Sequence, residues 1–320
     1  MKFEVGANEA EQRIDKFLRK WLKDVPLGAI FKAIRKGDIR VNGKKIKQNY
    51  ILNLGDQIEA KYIVSEKKNT VREFIEVDFS AMKICYEDEN ILVVEKWPGV
   101  LVHANKKEGE ATLTDYVLSY LVETGKFDPE EETTYTPASC NRLDRNTSGL
   151  VIFGKNYPSQ KAINEMIRER SIKKNYYSLV KGRMKSNLYK AYLLKDEVNN
   201  LSQISKDNRE GYKPIAMDLE VIDSVGLFTF VDIELITGRS HQLRAHLASL
   251  GNPIIGDKKY GNKELNNYFE NKFGLQFQFL YAYKLEFKNC PEHLAYLENK
   301  VITEALPPIF KKTKRDALRI

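Results

Sequence analysis

Helical and strand-like segments follow one another along this chain without regular alternation, and that order limits its fold more than any other feature. Apolar positions recur at helical spacing in residues 109–126 and 158–172, whereas β-forming runs mark residues 172–183 and 227–236. A doubly wound parallel sheet requires strands and helices to alternate regularly. The sequence therefore predicts an α+β protein with a mixed, mainly antiparallel sheet and flanking helices.

Local signals set the expected ends of these segments. Thr112 or Thr114 can cap the helix in 109–126. Gly251 is the expected C-cap of a helix that follows the strand around Val231. Pro98 and Gly99 in "KWPG" predict a turn between two β-branched runs.

Charge is concentrated at the N-terminal end. The 320-residue chain has a formal net charge of +8, and residues 1–63 alone carry fourteen Lys or Arg and eight Asp or Glu. A basic excess of this kind indicates a polyanionic partner, and nucleic acid is the leading candidate. With no apolar run of about 20 residues and no apolar signal-peptide core, we expect a cytoplasmic protein without a membrane partner. Three isolated cysteines are expected to be reduced thiols.

The segment "FKAIRKGDIRVNGKKIK", residues 31–47, holds seven basic residues and one acidic residue. Gly37 should end a helix here, and Asn42-Gly43 should form the two-residue turn of a hairpin. A helix end followed by a basic hairpin aligns cations that can bind a phosphate backbone. In the alternative interpretation, these charges form a solvated face with no ligand. The predicted RNA-binding residues of this ridge are Arg35, Lys36, Arg40, Lys44 and Lys45.

The N-terminal region carries a leading "RxDxxL" helix, a second helix ending in a basic pair and Gly, a "VNG" turn and a closing "L..GD.I". This pattern resembles the S4 RNA-binding domain, a small (αL-like) fold. The matching positions are Arg13, Asp15, Leu18, Arg35, Lys36, Gly37, Val41, Asn42, Gly43, Leu54, Gly55, Asp56 and Ile58. We predict an S4-like domain in 1–63, a linker in 64–80 and a catalytic domain in 81–320.

The stretch "CNRLDRNTSGLVIFGKN", residues 140–156, places Asp144 between Arg142 and Arg145 on a turn. In one interpretation Asp144 only shapes the turn, by accepting hydrogen bonds from backbone N–H groups of Thr147 or Ser148. In the other it stays ionised in a shielded site, which requires a fixed cation. Arg244 is the candidate cation, because it lies at the edge of the apolar face of its helix; Arg142 and Arg145 would then be free for phosphates.

Three ordered motifs identify a family resemblance. "NRLDRNTSGLVIFGKN", "KNYYSLVKG" and "TGRSHQLRAHLASLGNPIIGDKKYG" are similar to motifs of the RluA-type pseudouridine synthases, in the branch with an N-terminal S4 domain. The resemblance implies a catalytic aspartate at Asp144, an active-site tyrosine at Tyr176 and an arginine pairing with the aspartate at Arg244. It also implies that Arg142 fills the gap left by a flipped uridine. The family's usual His before "RLD" is replaced by Asn141.

The resemblance implies isomerisation of uridine to pseudouridine in structured RNA, with large-subunit ribosomal RNA as the leading substrate, without a metal or organic cofactor. We also expect the enzyme to be a monomer. A tRNA-directed synthase and a non-catalytic RNA-binding or ribosome-assembly protein are the alternatives. His241 and His246 are five residues apart, a spacing that disfavours a zinc site on one helical face. Glycoside hydrolysis would need a second carboxylate, for which Asp115 on a predicted helix is the only suggestion.

Overall fold

A computed structural model describes residues 1–63, 74–104, 109–130 and 134–319. Residues 1–63 bury a hydrophobic core of their own, and the remaining described residues bury a separate set on the two faces of a large sheet. Residues 64–73 of the predicted linker lie outside the described residues, so the domain boundaries at 63 and 81 stay a prediction.

Residues 1–63 combine two helices with a four-stranded antiparallel sheet. Its spatial order is β1-β4-β2-β3. Helix α2 ends at Gly37, whose φ of 81° is left-handed, and the hairpin turn has positive φ at Asn42 and Gly43, as predicted. The elements are β1 (Lys2–Glu4), α1 (Ile14–Trp21), α2 (Leu27–Lys36), β2 (Ile39–Val41), β3 (Lys44–Lys45) and β4 (Gln57–Ala60).

The second sheet confirms the predicted mixed, mainly antiparallel architecture. Its path among the described residues is β11-β10-β12-β13-β9-β14-β8-β6-β5, with β15 beside β14 and β7 beside β8. Among the described strand pairs of this sheet, only β8–β14 is parallel. The strands are β5 (Lys83–Glu87), β6 (Ile91–Lys96), β7 (Ala138–Ser139), β8 (Ser148–Gly154), β9 (Ile172–Lys181), β10 (Asn187–Asp196), β11 (Leu201–Ser205), β12 (Lys213–Val225), β13 (Phe228–Leu235), β14 (Leu280–Phe287) and β15 (Val301–Thr303).

Helices cover both faces of this sheet, because the central strands are apolar on both sides. In β8, Val151 and Phe153 belong to one core and Leu150 and Ile152 to the other. Thr112 caps its helix together with Asp115, and Gly251 follows the last helical turn before the chain returns to the sheet. The helices are α3 (Leu113–Glu123), α4 (Tyr157–Arg168), α5 (Gln242–Ser249), α6 (Lys263–Phe273), α7 (Pro308–Ala317) and a 3₁₀ helix (Glu292–Leu297).

The predicted turn forms at Pro98 and Gly99. Of the two β-branched runs beside "KWPG", the first forms a strand and the second does not. The hairpin is β5–β6, which lies entirely before this turn, and residues 100–104, directly after it, form no strand. The second run forms no strand because its carbonyls bind another element: those of Leu101 and Val102 accept hydrogen bonds from the N–H groups of Leu113 and Thr114 at the N-terminus of α3. That satisfies backbone groups that a ladder would otherwise use.

Candidate active site

The turn before β8 presents the carboxylate of Asp144 to a cleft. The backbone carbonyl of Asp144, not its side chain, accepts the N–H of Thr147 at 3.0 Å. Gly149 follows with a φ of 124°, and a Cβ there would collide with the backbone of Ala282 on the neighbouring parallel strand. Backbone groups therefore shape the turn, which overturns the interpretation that the Asp144 carboxylate shapes it.

A buried lysine holds this turn from beneath. Nζ of Lys96, which has no exposed surface, donates to the carbonyls of Trp97 (3.0 Å), Val100 (2.8 Å) and Arg145 (2.8 Å). Burial lowers the pKa of Lys96 to about 7, while the charge of Asp144 opposes the decrease. Lys96 thus ties the "KWPG" turn to the backbone directly after Asp144. Sequence reasoning missed this residue, because lysine is rarely buried completely.

Arg244 on α5 joins two carboxylates. Its Nη1 donates to Oδ2 of Asp144 at 2.9 Å, and its Nε and Nη2 donate to Oδ2 and Oδ1 of Asp257 at 2.7 and 2.9 Å. Burial alone would lower the pKa of Arg244, but the two carboxylates outweigh it and raise the pKa above its ordinary value. The predicted pairing of Asp144 with Arg244 is therefore present in the structure.

Asp257 is the second carboxylate bound by Arg244, and the sequence analysis did not single it out. It is fully buried and also accepts the N–H groups of Lys259 and Tyr260 at 2.8 and 3.0 Å. Burial raises the pKa of Asp257, but hydrogen bonds from Arg244 bring it below the ordinary value. The signal available in the sequence was a charged residue directly after the buried run Ile254–Gly256.

Tyr176 lies on β9 with 5% of its surface exposed and lines the same cleft. Burial, and then the negative charge of Asp144, raise the pKa of Tyr176 well above its ordinary value. The side chain is therefore a neutral phenol at neutral pH. It offers the cleft an aromatic surface and one hydroxyl group.

His241 is a neighbour of Asp144 that sequence reasoning left as an orienting or packing residue. Its Nδ1 is 2.9 Å from the hydroxyl of Tyr260, and its Nε2 is 3.9 Å from Oδ2 of Asp144. Burial lowers the pKa of His241 to about 4, so the ring is neutral at neutral pH. The Tyr260 oxygen also accepts from Ser202 N at 2.7 Å, so the contact between Tyr260 and His241 holds the imidazole ring beside Asp144.

The cleft has a volume of about 490 Å³ and is strongly basic. Asp144 is the one carboxylate among the described residues that line it. The cationic lining residues are Arg142, Arg168, Arg170, Lys174, Arg239 and Arg244. Such a surface favours a polyanion.

Arg145 was expected to be free for phosphates, and the structure shows otherwise. Its guanidinium is not free, because Nη2 donates to Glu110 at 2.8 Å and Nη1 to the carbonyl of Gly99 at 3.3 Å. Arg142, in contrast, is exposed at the cleft.

Asn141, which replaces the usual His, contacts β8: its Oδ1 accepts a hydrogen bond from Ile152 N at 2.8 Å. Asp115 caps α3 through Thr112 N at 2.7 Å and does not line the cleft, so it is no second carboxylate for glycoside hydrolysis.

The predicted basic ridge lies in residues 1–63, on the end of α2 and the β2–β3 hairpin. Arg35, Lys36, Lys44 and Lys45 are exposed, and none of them makes an ion pair with a described residue. Arg40 is half-buried instead, with Nε and Nη1 donating to the carbonyls of Gly37 and Gly43 at 3.1 and 3.3 Å. Arg40 therefore braces the hairpin on which Lys44 and Lys45 stand.

Comparison with known proteins decides the family. Residues 90–249 match the family described as RNA pseudouridylate synthase, and residues 12–58 match the S4 domain. The chain belongs to the RNA pseudouridylate synthase family. It is an isomerase that converts uridine in RNA to pseudouridine, with an S4 domain at its N-terminal end.

Relatives and solved structures agree with this assignment. The chain is 34% identical to "Ribosomal large subunit pseudouridine synthase C" of Escherichia coli (strain K12), over 88% of this chain and 87% of that protein. It is 32% identical to an "Uncharacterized RNA pseudouridine synthase" of Mycoplasma capricolum, over 94% and 96%. The structure of "Human RNA Pseudouridylate Synthase Domain Containing 4" shares the fold with a TM-score of 0.58 at 22% identity, covering 74% of this chain and 93% of that one.

Two further observations concern other classes of site. Within the part of the chain that the structure describes, no three His, Cys, Asp or Glu side chains are grouped as ligands for a metal ion. None of the helices described there has the length and apolar character that a bilayer-spanning segment needs.

Proposed function

We propose that this enzyme modifies uridine in large-subunit ribosomal RNA and that Asp144 is its catalytic carboxylate. The observation that carries the catalytic assignment is the 2.9 Å contact of Asp144 with Arg244 inside a cleft lined by cations. The ribosomal substrate is supported by relatives named for the ribosomal large subunit and by the S4 domain. We further propose that the enzyme acts as a monomer in the cytoplasm.

The reaction explains why these groups suffice. In uridine the bond from N1 to C1′ breaks, the base turns, and C5 joins C1′; C5 loses its hydrogen and N1 gains one. No oxidation or hydrolysis occurs, so a carboxylate that attacks or stabilises the nucleoside during cleavage can carry the step. Arg244 keeps that carboxylate ionised when RNA covers the cleft. Tyr176 supports the base with its ring and supplies a hydroxyl for proton transfer.

The target uridine must leave its stack to reach Asp144, which costs a few kcal/mol. Arg142 is exposed at the cleft, two residues before Asp144, where its side chain can occupy the vacated space. The exposed ridge of Arg35, Lys36, Lys44 and Lys45 binds phosphates of the same RNA, and these contacts position the molecule rather than read the uridine. Arg40 supports that ridge, while Arg145 acts on RNA only if Glu110 releases it.

The substrate is tested by mapping pseudouridines in ribosomal and transfer RNA from cells with and without this protein. We expect at least one position to be lost from large-subunit ribosomal RNA. A loss confined to tRNA would establish the alternative substrate, and no loss in either RNA would favour a non-catalytic role.

The catalytic assignment is tested by Asp144→Asn in single-turnover assays on the mapped RNA. Conversion should be abolished while RNA affinity stays within a few-fold, because phosphate contacts carry binding. Glu110→Gln is the matched control, since it removes a carboxylate that is exposed and contacts Arg145 instead of Arg244. Turnover near that of the wild type in Asp144→Asn would contradict the assignment.

A further inference from the structure

One cation of the cleft differs from the other five. Lys174 on β9 is half-buried, and its ammonium makes no ion pair or hydrogen bond with any described residue. Arg244 is held by two carboxylates, Arg168 pairs with Glu165 at 2.6 Å, and the remaining three arginines are exposed to solvent. A partly desolvated ammonium without a partner is unfavourable, so its position indicates a partner that arrives with the substrate.

The position of Lys174 on its strand supports this reading. Lys174 and Tyr176 are two residues apart on β9 and both line the cleft, so their side chains leave the same face about 6–7 Å apart. That separation is comparable to the span from the base to the phosphate of one nucleotide. Lys173 leaves the opposite face, is exposed, and pairs with Glu234 at 3.2 Å.

Lys174 and Tyr176 differ in their electrostatic surroundings. Burial, and then the charge of Asp144, raise the pKa of Tyr176, whereas burial lowers the pKa of Lys174. Among the described residues Arg244 pairs with Asp144 at 2.9 Å, and no ion pair joins Lys174 to Asp144. A negatively charged acceptor would offset the burial of an ammonium better than a neutral uracil carbonyl does.

We infer that Lys174 binds a backbone phosphate beside the uridine that enters the cleft; this inference rests on the proposed function. Lys174 thereby fixes the nucleotide whose base lies against Tyr176. It is a substrate-binding residue that sets the depth to which the flipped nucleotide enters.

The test compares wild type, Lys174→Met and Lys173→Met on a synthetic RNA stem–loop. The RNA is taken from whichever RNA loses pseudouridine in cells without the protein, and each phosphate flanking the uridine is replaced in turn by an uncharged methylphosphonate. Lys174→Met should lower kcat/KM by about 10- to 100-fold, the loss of one charge-assisted hydrogen bond. Lys173→Met should resemble the wild type.

The decisive result is non-additivity at one phosphate. There, the methylphosphonate should weaken the wild type and leave Lys174→Met unchanged, because the variant has already lost that contact. If every replacement weakens both proteins equally, or if Lys174→Met behaves as the wild type, the inference is overturned. If the RNA proves not to be ribosomal, or binds without conversion, the proposed function fails while the same comparison of Kd values still decides the phosphate contact.

Discussion

Asp257 grips Arg244 through two parallel hydrogen bonds, of 2.7 and 2.9 Å, and leaves one guanidinium nitrogen for Asp144. This fork fixes the plane of the guanidinium, so Arg244 cannot turn away when substrate displaces water from the cleft. Asp257 is buried and does not line the cleft. We therefore regard it as a positioning residue that acts through Arg244.

Asp257→Asn should lower both the stability of the protein and its catalytic rate. Replacing one partner of a buried ion pair should lower the free energy of unfolding by about 3–5 kcal/mol. The single-turnover rate at saturating RNA should also fall, with little change in KM, because the misplaced group is Arg244. Denaturant unfolding and single-turnover assays measure the two effects.

A half-buried carboxylate elsewhere provides the control. Asp232 accepts hydrogen bonds from Asn175 at 3.0 Å and Tyr283 at 2.6 Å, and it does not line the cleft. Asp232→Asn should lower stability and leave the single-turnover rate of the folded enzyme unchanged. If Asp257→Asn behaved in the same way, Asp257 would only stabilise the fold.

Arg142 and Arg145 give a second matched pair, because both flank Asp144 and only Arg142 lines the cleft. If Arg142 fills the space of the flipped uridine, Arg142→Ala should slow conversion by about 10- to 100-fold when the uridine is stacked in a stem. The loss should be much smaller for a uridine in an unstructured strand, where little stacking is broken. Arg145→Ala should be close to the wild type on both RNAs. Equal losses for Arg142→Ala on both RNAs would instead indicate a simple phosphate contact.

The sequence predicted those parts of the site that lie in local motifs or follow from a charge requirement. It placed Asp144 on its turn and paired it with Arg244, one hundred residues away, because an ionised carboxylate in a shielded cleft needs a cation. It could not predict Asp257 or Lys96, since their importance depends on where the chain folds back and on burial unusual for charged residues. The absence of a strand directly after Gly99 could not be predicted for a similar reason: the carbonyls of Leu101 and Val102 accept hydrogen bonds from α3, a partner that local periodicity does not reveal.

Lys96 should make stability depend on pH. Its pKa is lowered to about 7 in the folded protein, against an ordinary value of 10.5. Below pH 7 both states hold the proton, and between these two values the unfolded chain binds more protons than the folded one. The contribution of Lys96 to the free energy of unfolding should therefore increase as pH rises through this window.

The measurement is denaturant unfolding of wild type and Lys96→Met at pH 6, 8 and 9.5. Other titrating groups cancel in the difference, so the wild type should gain stability relative to the variant as pH increases. Lys96→Met should be the less stable at pH 9.5, because the buried carbonyls that accept from the amine of Lys96 lose their donor. A difference that is constant with pH would show that the three carbonyls keep Lys96 protonated throughout.

The basic ridge should set the salt dependence of RNA binding. Residues 1–63 also contact the rest of the protein, since Asn8 accepts the N–H of Tyr157 at 3.0 Å and Glu9 is buried against Thr134, so point substitutions test the ridge more cleanly than a deletion. Lys44→Gln/Lys45→Gln removes two exposed charges from β3. Losing two phosphate contacts should lower the slope of log K against log salt by about 1.4 to 1.8. The control is Lys2→Gln/Lys61→Gln, because Lys2 is on β1 at the opposite edge of the sheet and Lys61 follows the neighbouring strand β4. Equal slopes for the two double variants would show that RNA does not bind the hairpin edge.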